Sequence, residues 1–101
     1  MLESALSLNG IAIRLTEERW NHILNAHPEV APYKFRILET IYDPEFVLQG
    51  NKGELQAITR LPPDKWLVVY YKEFPEVKDG FVITALTTRR DYRNSRTQLW
   101  P

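Results

Sequence analysis

Trp66-Leu67-Val68-Val69-Tyr70-Tyr71-Lys72-Glu73-Phe74 and, after a break at Pro75 to Gly80, Phe81-Val82-Ile83-Thr84-Ala85-Leu86-Thr87-Thr88 decide the reading of this chain. Both runs are β-branched and aromatic, the side chains that fit a pleated, half-buried surface. Each has the length of one strand, and Pro75, Asp79 and Gly80 mark the connection as a turn. Two adjacent antiparallel strands are expected, joined by a loop longer than a two-residue hairpin turn. Leu67 to Tyr71 are apolar or aromatic without interruption, so neither face of the first strand is wet and the strand is central.

Upstream, Glu54 to Leu61 reads as a strand that ends at Pro62-Pro63-Asp64-Lys65, and Phe46-Val47-Leu48 as a short strand closed by the glycine-bracketed turn Gly50 to Gly53. Before these lie two helical patterns. Thr16 is a good N-cap, Glu17 and Glu18 put negative charge in the first turn, and Trp20, Ile23, Leu24 and His27 share a face. Pro28 forces that helix to stop near His27. A second helix is expected from around Pro32 to Tyr42, with Tyr33, Ile37, Leu38 and Ile41 on one side and Asp43-Pro44 at its end. Ile11 to Leu15 reads as a short strand, and Met1 to Gly10 as an arm or an edge. Helices followed by strands predict an α+β fold: two N-terminal helices packed on one face of a three- to four-stranded antiparallel sheet.

With 101 residues the chain is expected to be one domain, residues 1–101, with its core in about 11–88 and a basic tail at 89–101. Hydrophobic residues make up 44% and charged residues 26%, as in ordinary globular proteins. No apolar run approaches the ~18 residues of a membrane span, so no membrane partner is expected. The absence of cysteine excludes a disulfide framework and thiolate metal sites and fits a cytoplasmic protein. Basic and acidic side chains balance at 13 each, which argues against nonspecific nucleic-acid binding by the whole surface. Locally, Arg89-Arg90-Asp91-Tyr92-Arg93-Asn94-Ser95-Arg96 sets four arginines against one aspartate. This tail reads either as a solvated extension or as a phosphate contact. Trp100 is unusual for a free tail and is a candidate to dock.

No phosphate-binding glycine loop, nucleophile elbow or HExxH is present. His22 and His27 lie roughly 140° apart around a helix, so they cannot share a metal, and no cofactor is expected. His22 reads as a surface residue. His27, at a helix C-terminus, suits either a structural role at the last carbonyls or a general acid–base role.

The run Ile13-Arg14-Leu15-Thr16-Glu17-Glu18-Arg19-Trp20, then His22-Ile23-Leu24 and His27-Pro28-Glu29, resembles small bacterial and prophage proteins of the barnase–EndoU–colicin–RelE-like nuclease superfamily. Ile37-Leu38-Glu39-Thr40-Ile41 with Asp43-Pro44, Leu67 to Lys72, and Gly80 to Ala85 extend the resemblance over roughly residues 11–88. It implies a helix packed on a four-stranded antiparallel sheet, with RNA on the sheet's other face. The implied activity is a metal-independent endoribonuclease in which the 2′-hydroxyl attacks the adjacent phosphate, plausible as the toxin of a toxin–antitoxin pair. Carried over by position, His27 is the acid–base, Arg60 and Lys72 are phosphate-stabilising cations, and Thr84 is the polar residue of the last strand. Thr88, Arg89, Arg90 and Tyr71 are the accompanying RNA or phosphate contacts. The neutral net charge and the absence of a strand histidine depart from that pattern. A non-catalytic protein-interaction module of the same fold, with a small antitoxin protein or a second copy as partner, is the alternative.

Overall fold

The computed structural model describes residues 3–101; the first two residues of the expected N-terminal arm lie outside them. The chain opens with a hairpin, β1 (Glu3–Leu6) and β2 (Ala12–Leu15). Helix α1 (Glu17–Ala26) follows, capped as its sequence predicts: the Thr16 hydroxyl accepts from the Arg19 N–H at 3.1 Å. A 3₁₀ segment (Pro28–Tyr33) leads into α2 (Lys34–Tyr42). The second helix therefore starts later than expected. Pro28 and Pro32 lack the N–H groups that an α-helical ladder needs, and a tighter 3₁₀ run accommodates them. Strands β3 (Phe46–Gln49), β4 (Leu55–Leu61), β5 (Lys65–Phe74), β6 (Asp79–Thr88) and β7 (Gln98–Trp100) complete the chain.

The fold is α+β, but the expected three- to four-stranded antiparallel sheet is corrected: among the described residues the sheet is mixed and has seven strands, ordered β1-β2-β6-β5-β4-β3-β7. Two additions make the difference. At one side β2 pairs in parallel with β6, Ile13 opposite Gly80, and brings β1 with it. At the other, the tail returns as β7 along β3, with Val47 opposite Trp100. The tail is thus a docked part of the sheet rather than a solvated extension. β5 lies at the centre, as its unbroken apolar run requires.

Both helices lie on one face. Trp20 and Ile23 of α1, Val30, and Ile37 and Ile41 of α2 pack on Ile13, Leu15, Ala57, Leu67, Val69, Tyr71, Val82 and Ala85. Full burial of an aliphatic side chain contributes about 1.5–3 kcal/mol, so this layer dominates the stability. Val82 and Ala85 share that face although strict alternation would separate them. The β5–β6 register shifts where Tyr70 opposes Thr84 and Tyr71 opposes Val82, and the extra residue is Ile83.

The second face carries its own apolar cluster: Phe46, Leu48, Ile58, Trp66 and Val68 are buried there, flanked by Tyr70, Leu86 and Tyr92. Tyr92 comes from a 3₁₀ turn (Tyr92–Asn94) in the tail, so the tail is what covers this face. Among the described residues no helix is long and apolar enough to cross a membrane.

Candidate functional site

The register gathers several of the expected residues at one end of the sheet. Arg60 opposes Trp66 on β5, and Trp66 opposes Thr88 on β6, from which Arg89 and Arg90 follow directly. The tail turn brings Arg93 back to the same place. The Arg60 guanidinium lies 4.6 Å from the Trp66 ring centre. Arg93 lies 4.6 Å from Phe46 and 5.5 Å from Trp66, and Arg90 lies 6.0 Å from Tyr92. Phe46 and Trp66 meet edge to face with centroids 5.4 Å apart. A guanidinium over a ring gains cation–π attraction and loses side-chain freedom, which leaves its in-plane N–H groups set for an oxyanion.

The four guanidiniums are not equivalent. Arg89 Nε donates to Asp64 at 2.9 Å, and Arg93 donates through Nε and Nη2 to both oxygens of Asp91. The bond to Arg93 holds the Asp91 carboxyl below the usual carboxylate range, and the same pairing raises Arg93. Arg60 and Arg90 have no carboxylate within ion-pair distance among the described residues. Beside them, Glu45 accepts from the Thr59 hydroxyl at 2.9 Å and from the Arg60 backbone N–H. The Thr88 hydroxyl accepts from the Arg90 backbone N–H at 3.0 Å.

The remaining candidates lie elsewhere. Lys72 is six residues along β5 from Trp66, about 20 Å at ~3.3 Å per residue, and its ammonium faces the Lys52 carbonyl at 3.4 Å. Thr84 is half-buried on the second face opposite Tyr70, between the two ends. Tyr71 is 2% exposed in the helix-side core, with burial first and then Glu73 pushing its hydroxyl pKa up. A phenol enclosed there cannot reach RNA, so that expected contact is corrected. His27 stands in the helix layer, across the sheet from Arg60. Its N–H donates to the Ile23 carbonyl at 2.7 Å, its carbonyl accepts from Val30 at 3.1 Å, and its Nδ1 is 3.5 Å from Glu29. The structural reading of His27 matches these contacts: it joins α1 to the 3₁₀ segment.

His22 is exposed on α1 and lines an open groove of about 350 Å³ with Thr16, Glu18, Arg19, Asn21 and Asn25. Glu45 was missed by sequence reasoning, and Arg93 was read only as one of the tail arginines, without its place on Phe46 and Trp66. Their signal was the unbalanced second face, where Phe46, Ile58, Trp66 and Leu86 all point outward and need cover.

Tyr70 lies under that cover. Burial, then the charge and hydrogen bond of Tyr92, push its hydroxyl from 10.0 up to about 12. A phenol that holds its proton more tightly when folded stabilises the fold below the unfolded value and loses that contribution as pH rises through the folded one. Stability should therefore fall between about pH 10 and about 12, and less steeply in Tyr70→Phe, as checked by urea unfolding across that range.

Comparison with family models, with curated proteins and with solved structures found no match, so the functional reading rests on the residues themselves.

Proposed function

We propose that the protein binds single-stranded RNA at the arginine-lined end of its sheet and is endoribonuclease-like in function. The observation that carries this reading is the pair of guanidiniums, Arg60 and Arg90, set against Trp66 and Tyr92 without a carboxylate partner among the described residues. Arginine forks take phosphate oxygens in bidentate fashion, and arginine interleaved with aromatic side chains is a sequence-tolerant way to hold a single strand. Zero net charge over the whole chain is compatible with this, because the positive charge is concentrated locally. For cleavage by 2′-hydroxyl attack, the proton acceptor within reach of these arginines is Glu45, whereas His27 lies across the sheet.

The test is fluorescence anisotropy with a labelled single-stranded RNA over a range of salt, with a gel of the same mixtures. Arg60→Ala and Arg90→Ala are each expected to weaken binding roughly tenfold and to lower the salt slope by about 0.7 for each phosphate no longer held. Lys72→Ala, at the far end of β5, is expected to leave affinity unchanged. Where the gel shows cleavage, Glu45→Gln is expected to stop it while sparing binding. Wild-type protein that ignores RNA at low salt would remove this reading.

The protein-interaction reading rests on a different observation. An apolar groove between β1 and α2 is lined by Ala5, Phe35, Leu38 and Tyr42, with Phe35 79% exposed. An uncovered aromatic patch beside an edge strand is the kind of surface that a small protein partner covers.

A further inference from the structure

At the arginine end, two of the four guanidinium forks are filled from within. The Asp91–Arg93 pair is the more completely made: Arg93 Nε lies 3.0 and 3.1 Å from the two carboxylate oxygens, and Nη2 lies 2.6 Å from one of them. This is the arrangement in which an arginine holds two oxygens of a phosphate. Asp91 also accepts from the Arg93 backbone N–H at 3.0 Å, so the carboxylate is fixed by the turn it caps. Arg93 is fixed independently by Phe46 and Trp66, and it shares Trp66 with Arg60. A charged fork with an oxyanion already on it therefore stands next to one with none.

We propose that Asp91 is the affinity-setting residue of this surface, an internal stand-in for phosphate that holds the Arg93 fork closed against a neighbouring phosphate of the strand bound by Arg60. This rests on the RNA-binding reading above. An incoming phosphate must displace the carboxylate and also approach its charge, so the wild-type protein offers Arg60 and Arg90 and withholds Arg93. Glu45 is the other carboxylate whose charge reaches Arg93, and its Oε2 is already held by the Thr59 hydroxyl and the Arg60 N–H.

Asp91→Asn separates charge from architecture, because the amide oxygen still accepts from the Arg93 N–H and the turn keeps its cap. Binding of the same labelled RNA is expected to tighten roughly tenfold at low salt. The salt slope should grow by about 0.7, one further phosphate held on a single strand. The double variant Asp91→Asn/Arg93→Ala should lose that gain. Far-UV circular dichroism and the urea midpoint of Asp91→Asn should match wild type, so that the change is read as binding. If Asp91→Asn binds no tighter while Arg60→Ala still weakens binding, the role of Asp91 is overturned and the RNA reading stands. The double variant has the wild-type net charge, so if it keeps the full gain, the gain comes from losing the carboxylate beside Arg60 and not from a freed Arg93 fork, and the role is again overturned. If neither wild type nor Asp91→Asn binds, both readings fall together.

Discussion

Trp66→Ala is expected to cost about 3–5 kcal/mol, the range for removing a buried aromatic side chain and leaving a cavity. Trp66 is only 9% exposed, and its strand is the middle one of seven. Its ring meets Phe46 edge to face and has the guanidiniums of Arg60 and Arg93 against it. Alanine removes the transfer free energy of the indole, the aromatic pair and the surface that holds both arginines. Domains of this size are stable by only about 5–15 kcal/mol, so the loss is a large share of the total. Urea unfolding followed by far-UV circular dichroism measures it. Trp66→Phe, which keeps a ring beside Phe46, should recover much of the deficit. A cost under about 1 kcal/mol for alanine would mean that the second face is not a working core.

Gly80→Ala is the second large effect, and its cause is space rather than backbone freedom. Gly80 stands between two ladders, opposite Ile13 on one side and Glu73 on the other. A Cβ there would come within 2.5 Å of the Lys72 carbonyl oxygen and 2.6 Å of Ile13 Cδ1. The isoleucine tip can move, but the carbonyl belongs to the central strand and cannot do so without parting the sheet. Overpacking of this kind typically costs about 1–3 kcal/mol. Hydrogen exchange should show where the strain goes: the amides of β2 are expected to lose protection before those of β5. Uniform loss across the sheet would mean that the two ladders do not separate there.

What was legible in the sequence was local. The β5–β6 pairing followed from two apolar runs and a turn, and α1 from a cap, two acidic residues and a proline stop. The parallel pairing of β2 with β6 had no such signature. Four residues cannot announce a neighbour that lies beyond two helices and three strands, and Gly80, read as the end of a turn, gave no sign that it stands inside β6 where two ladders approach closely. The tail was misread because β7 is three exposed residues, too short for a period to show. Its aromatic residues, Tyr92 and Trp100, were the better guide. At the site, Arg60, Thr88, Arg89 and Arg90 were named with Lys72 and Thr84 only through the resemblance, and it is the strand register that sets the first four at one end and Lys72 at the other. The place of His27 was not legible, because the side of the sheet on which a helix lies is decided by packing and not by spacing. The Ile83 bulge likewise leaves no mark in a run of strand formers, yet it decides which residues of β6 face the helices and which face the tail.

The β2–β6 ladder also has a consequence for the order of events on a ribosome. The first hairpin emerges early, but the strand it must join begins at Asp79. Until that stretch has left the exit tunnel, β2 offers an unmatched row of N–H and C=O groups on its far side, and Ile11, Ile13 and Leu15 have no sheet to complete. Local segments such as α1 and the β3–β4 hairpin can form as they appear, whereas closure of the sheet awaits β6. Pairings so distant in sequence close slowly, on the scale of milliseconds to seconds. The nascent protein therefore has β1 and β2 available to other chains for as long as the stretch between Leu15 and Asp79 is being made.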